Sequence, residues 1–157
     1  MGGAEVLRGL ARGHHPVPFV LTQAGNTPAD PDVSIFVAIR DLSAADFNDT
    51  VTGNDIVLVD FWASWCGPCR AFAPTFTASS EKHPDVVFGK VDTEAEQQLA
   101  AAAEIRSIPT LMAFKKGTLV FNQAGALPPA ALEDLIRQVK DFDVDAAIAS
   151  QSHAEDV

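Results

Sequence analysis

Trp65-Cys66-Gly67-Pro68-Cys69 follows directly on the apolar run Ile56–Trp62. The run Ile56-Val57-Leu58-Val59 reads as a strand buried on both faces. The Gly-Pro pair then turns the chain into a helix, because proline fits the first helical turn, where its missing N–H has no intrahelical partner. Any fold of this chain must therefore deliver the end of a buried strand to the start of a helix, with two thiols on that first turn. Both of the protein's cysteines lie there, three positions apart. At that spacing they can close a small disulfide ring and reopen it.

Two cysteines in one pair do not make a disulfide framework, and in an α/β chain they read as a redox motif. A zinc site needs about four ligands. The four histidines, His14, His15, His83 and His153, offer no second paired motif, so no metal is expected.

The flanking sequence supplies an α/β alternation. Val33–Ile39 is β-branched and apolar and predicts a first strand. Ser43 with Asp46 resembles a capping box and opens a helix to about Thr50. A long helix runs from about Cys66 to Lys82 and contains Pro74, which removes a backbone donor and predicts a kink. Val86–Val91 is the next strand, and Glu94–Glu104, rich in Ala and Glu, is a helix. Thr110–Phe114 and Leu119–Phe121 flank a hairpin turn at Lys115-Lys116-Gly117. A last helix opens at Pro128-Pro129 and places Leu132, Leu135, Ile136 and Val139 on one face. The order β-α-β-α-β-α-β-β-α predicts a central mixed sheet of about five strands flanked by about four helices.

The chain has 157 residues, enough for one domain with a sizeable core. We place that domain at residues 33–140. Residues 1–32 read as a disordered extension or the product of an upstream start codon, with Gly25–Asp32 as a Pro-rich linker. Arg8, Arg12 and Pro16–Leu21 imitate a secretory signal only loosely: the apolar stretch is short and interrupted by Pro16 and Pro18, so a cytoplasmic location is expected. Residues 141–157 form an acidic tail that extends the last helix briefly and then frays. The net charge of −10 argues against nucleic acid and anionic membrane as partners. No apolar run approaches the roughly 18 residues of a membrane span.

The residues themselves assign a chemistry. Cys66 faces unsatisfied N–H groups and the positive end of the helix dipole, which favour the thiolate. Cys69 lies a turn further in and is expected to be the more buried. Cys66 is then the attacking cysteine and Cys69 the resolving one. Gly67 allows close approach of a substrate backbone, and Pro68 stiffens the turn. Asp60 interrupts an apolar strand, and two readings are open: a buried carboxyl that accepts the proton of Cys69, or a strand-end residue facing solvent. Lys90 either tunes Asp60 or is a solvated edge lysine. Trp65 is the better candidate for an exposed contact residue, Trp62 for core. Ile108-Pro109 precedes a strand, where a cis bond would fit.

In combination these segments resemble the thioredoxin family. Residues 57–70, VLVDFWASWCGPCR, are similar to its active-site strand, loop and helix; Ser107-Ile108-Pro109-Thr110 is similar to its cis-proline loop, and Gln123-Ala124-Gly125-Ala126 to its third substrate-facing loop. The resemblance runs from about Ile35 to Val139. It implies the thioredoxin fold, Asp60 as the buried proton acceptor with Lys90 as its neighbour, and a cis Pro109 packed against the cysteine pair. It also implies that Ile108 offers backbone pairing to substrate, within a docking surface of Trp65, Gly67, Pro68, Gly125 and Ala126. Gly-Pro between the cysteines is the dipeptide of the reducing members, for which a potential near about −270 mV is the expectation. Ser64 and Asp92-Thr93-Glu94 depart from commoner residues. The function implied is that of a monomeric protein-disulfide reductase with no bound cofactor. Its partners would be disulfide-containing client proteins and a thioredoxin reductase that supplies electrons from NADPH. The rival reading is a binding module or holdase chaperone with incidental redox activity.

Overall fold

A computed structural model describes residues 39–154. In chain order its elements are β1 (Ile39–Asp41), α1 (Ala44–Gly53), β2 (Ile56–Trp62), α2 (Gly67–Lys82), β3 (Val87–Asp92), α3 (Gln97–Ala102), β4 (Thr110–Lys115), β5 (Thr118–Ala124), α4 (Pro129–Asp141) and α5 (Val144–Ala154). The sheet runs β1-β3-β2-β4-β5. β1, β3 and β2 are parallel, and β4 and β5 are antiparallel to their neighbours. This is the mixed sheet expected from the sequence, with β2 at its centre.

Alternation along the strands sorts the core into two layers. Leu58, Phe88, Leu111 and Ala113 meet Phe72 and Phe76 of α2 and Leu132, Leu135, Ile136 and Val139 of α4. Val57, Val59, Phe61, Val91 and Met112 form the opposite layer with Val51 of α1 and Leu99 of α3. Phe76 packs edge-to-face on Phe88 with centroids 5.1 Å apart, so α2 is held to the sheet by rings worth roughly 1.5–3 kcal/mol each in burial. Gly89 lets β3 pass Leu42, since a Cβ there would sit 2.5 Å from Leu42 Cδ1. The β4–β5 hairpin turns through Lys116 (φ 49°) and Gly117 (φ 78°), the doubly left-handed geometry of a tight two-residue turn.

Several boundaries differ from the sequence reading. The expected first strand, Val33–Ile39, and the extension at 1–32 fall outside the described residues except for Ile39; the strand observed pairs Ile39 with Phe88 and Asp41 with Lys90. α3 is shorter than Glu94–Glu104. Its expected first turn is diverted by Asp92, whose carboxylate accepts the N–H groups of Glu94 at 2.9 Å and Ala95 at 3.4 Å. At its other end Glu104 is left-handed (φ 57°), and the N–H groups of Glu104 and Ile105 return to the carbonyls of Ala101 and Ala100. The tail does not prolong α4. The chain leaves helix at Phe142, and Asp143 then caps a fifth helix by accepting the Ala146 N–H at 2.9 Å. Val144 is buried, and Asp145 pairs with Lys116 of the hairpin at 2.7 Å.

At the end of the sheet away from the cysteines, Lys115 is buried. Its ammonium donates to the carbonyls of Val139 at 2.9 Å and Lys140 at 2.6 Å, capping α4.

Candidate active site

β2 ends at Trp62, and a turn closed by the Cys66 N–H on the Ala63 carbonyl (3.2 Å) delivers the chain to α2. Cys66 is the N-cap of α2, and its Sγ accepts the Cys69 N–H at 3.2 Å. The two cysteines are joined as a disulfide, the oxidised state of the pair. Exposure does not separate them as the sequence reading expected: Cys66 is 4 % and Cys69 3 % accessible. Position does, because Cys66 lines a surface cavity of about 620 Å³ and Cys69 does not.

That cavity gathers Trp65, Cys66, Gly67, Pro68 and Ile108 from the residues singled out in the sequence. Trp65 is 66 % exposed, and its indole Nε1 donates to Glu94 Oε1 at 2.8 Å. An added Cβ at Gly67 would meet nothing within 4 Å, so the fold itself does not demand glycine there. The Ile108–Pro109 peptide is cis, and the Ile108 carbonyl oxygen lies 3.7 Å from Cys66 Sγ. Pro109 is buried and does not line the cavity, and its carbonyl accepts the Gly125 N–H at 2.7 Å. Gly125 has φ +104°, which explains glycine at that loop position. Ala126 is exposed beside it and does not line the cavity. Thr93, Gln97, Ala101, Ile105 and Arg106 also line the cavity, and the sequence reading did not single them out for it. The only hints were the unusual Asp92-Thr93-Glu94 stretch and the nearness of Arg106 to Pro109.

Asp60 lies on the sheet face that carries α2, two positions beyond Leu58. It is fully buried, and neither carboxylate oxygen has a hydrogen-bond partner among the described residues. Burial pushes its pKa up to about 6, against the opposing pull of the Lys90 ammonium. The solvent-facing reading of Asp60 is thereby overturned. Lys90 is half-buried on the neighbouring strand in register with Asp60, and its Nζ stands 4.6 Å from the centroid of the Trp62 ring. Among the described residues no cluster of His, Cys, Asp and Glu is arranged to hold a metal ion.

A family model described as Thioredoxin matches residues 38–138. The chain belongs to the thioredoxin family. It is 52 % identical, over 71 % of its length and 85 % of the relative's, to a Streptomyces coelicolor protein provisionally named thioredoxin 2. Against thioredoxin C-3 of Corynebacterium nephridii it is 42 % identical, covering 62 % of this chain and 68 % of that one. A solved structure of a mutant thioredoxin from Halobacterium salinarum superposes with a TM-score of 0.63 at 33 % identity, over 67 % of this chain and 93 % of that one. With the Cys66–Cys69 pair in place, the chain is a thiol-disulfide oxidoreductase of the protein-disulfide reductase type. The reading as a binding module or holdase is not favoured.

Proposed function

We propose that the protein reduces client disulfides through an attack by Cys66 and a resolving step by Cys69, with Asp60 as proton acceptor. The single observation that carries this is the unpartnered buried carboxyl of Asp60 on the face beneath α2, the helix that begins at the disulfide. In the reduced protein the Cys66 thiolate, favoured by the free N–H groups at the start of α2, attacks a client disulfide. A Cys66–client disulfide forms and the first client sulfur leaves as thiolate. Cys69 then loses its proton to Asp60, through water, and attacks Cys66 Sγ. The second client sulfur departs, the Cys66–Cys69 disulfide forms, and two electrons have moved to the client. The pKa of Asp60 near 6 makes it ionised and able to take a proton at neutral pH.

The client segment docks as an extended chain beside Ile108 and Pro109, over the cavity lined by Trp65, Gly67 and Pro68, with Gly125 and Ala126 extending the docking surface beyond the cavity. Lys90 tunes Asp60. No resident cofactor is required, since the cysteine pair holds both electrons. An NADPH-dependent thioredoxin reductase regenerates the dithiol, and the protein works as a monomer in the cytoplasm. No helix among the described residues is long and apolar enough to cross a membrane.

The test is NADPH oxidation coupled through a thioredoxin reductase to insulin-disulfide reduction. Cys66→Ser should lose all turnover, and Cys69→Ser should accumulate a client-linked mixed disulfide visible by mass. Full turnover in Cys66→Ser would sink the mechanism.

A further inference from the structure

A second cavity, of about 360 Å³, opens at the edge of the sheet beside Lys90. It is lined by Asp41, Asp46, Trp62, Lys90, Asp92 and Glu96, among others. Strand register gives this cluster an internal order. Asp41 of β1 is the Cα partner of Lys90 on β3, and Lys90 is the Cα partner of Asp60 on β2. In-register neighbours of parallel strands point to the same side of a sheet. Asp41, Lys90 and Asp60 therefore share one row of the sheet, with the lysine's position between an exposed aspartate and a buried one.

The other acidic groups lining the cavity each hold a local donor through one oxygen. Asp46 accepts the Ser43 hydroxyl at 2.6 Å, Asp92 holds the N–H groups of Glu94 and Ala95, and Glu96 accepts the Ala44 N–H at 3.1 Å. Among the described residues Asp41 accepts no such donor, and none of the four ion pairs includes Lys90. The ammonium rests over the Trp62 ring and makes none of those ion pairs.

We infer that Asp41 is a positioning residue of the proton-transfer step, competing with Asp60 for the Lys90 ammonium across the row. When Asp60 is protonated, Lys90 leans to Asp41 and Trp62. When Asp60 ionises, Lys90 is drawn inward and Asp41 gives it up to solvent-screened distance. Asp41 thereby keeps Asp60 a better base than a full pairing with Lys90 would allow. The inference rests on the proposed role of Asp60, but its test does not.

The oxidised full chain, labelled for carbon-detected NMR of aspartate carboxyls, gives the Asp60 titration directly. Asp41→Asn should move that titration down by about half a pH unit, the size expected when an ammonium closes by a couple of ångströms in a partly buried site. Removing the Asp41 charge also acts on Asp60 through space, so the same substitution is made in a Lys90→Met background. There the shift should shrink to less than half of its size. An unchanged or raised Asp60 titration in Asp41→Asn overturns the competition, and so does an equal shift in both backgrounds. Thermal melts verify that each variant is folded. Asp60→Asn, followed by the pH profile of insulin reduction, tests the proton-acceptor reading separately. A profile unaltered by that change defeats the role of Asp60 while the titration result stands.

Discussion

Lys115 and Lys90 both interrupt apolar strands of one sheet, and they are treated in opposite ways. Lys115 is buried with its ammonium on two helix-end carbonyls, at 2.9 and 2.6 Å. Lys90 is half-buried, has an aromatic face for a companion and stands beside a carboxyl without hydrogen bonds. A satisfied buried charge fixes two elements together and has one arrangement. An unsatisfied one costs stability, and the buried Asp60 carboxyl is where this sheet bears that cost. The polar groups inside the sheet are therefore satisfied at the end near α4 and left without hydrogen bonds at Asp60, nearer the cysteines.

The largest effect that would break this contrast lies at Asp60. Its folded pKa, about 6, is above the ordinary 3.8, so the fold prefers the protonated form. That preference favours the folded state fully below the ordinary value and is lost as pH rises through about 6. Above it the ionised carboxyl costs about 3 kcal/mol, at about 1.4 kcal/mol per pH unit. Asp60→Asn should raise oxidised-state stability by about that amount at pH 8 and by little at pH 3.5, read from urea midpoints. An equal gain at both pH values would show that ionisation is not the cause.

Lys115→Met should do the reverse. Two carbonyls at the end of α4 lose their donor, and stability should fall by about 2 kcal/mol. A loss below about 0.5 kcal/mol would mean that water replaces the ammonium freely. The smallest expected change in stability is that of Lys90→Met, under about 1 kcal/mol at pH 5, where the Trp62 contact and the attraction to exposed Asp41 are lost. The same variant should raise the Asp60 titration seen by NMR, because the one lowering charge is gone. If Lys90→Met proves as costly as Lys115→Met, the two lysines are structurally alike and the contrast fails.

Much of this architecture was legible in the residues. Ile56–Trp62 had to be a central strand because nothing in it but Asp60 tolerates water, and Leu132, Leu135, Ile136 and Val139 mark the buried stripe of α4 as they stand. The hairpin at Lys116-Gly117 followed from its turn chemistry. The shortened α3 was not legible, since Asp92 diverts the Glu94–Ala95 backbone by a side-chain contact that composition does not reveal. The start of α5 was hidden for a similar reason: a carboxylate at Asp143 outcompeted continuation of α4. At the site, the cysteine pair and Asp60 were visible because each breaks a local pattern. Gln97 and Arg106 break none, Thr93 only departs from a commoner residue, and the fold is what brings all three to the cavity.

Cys66 is at once the cap of α2 and the reacting atom, and this ties two thermodynamic quantities into one cycle. Reduction of the folded pair, unfolding, re-oxidation and refolding must sum to zero. Any residue that holds the first turn of α2 better in one oxidation state than in the other therefore shifts the electron affinity of the pair by the same free energy. A stability difference between oxidised and reduced protein is thus a reading of redox bias, obtainable with denaturant and no electrode.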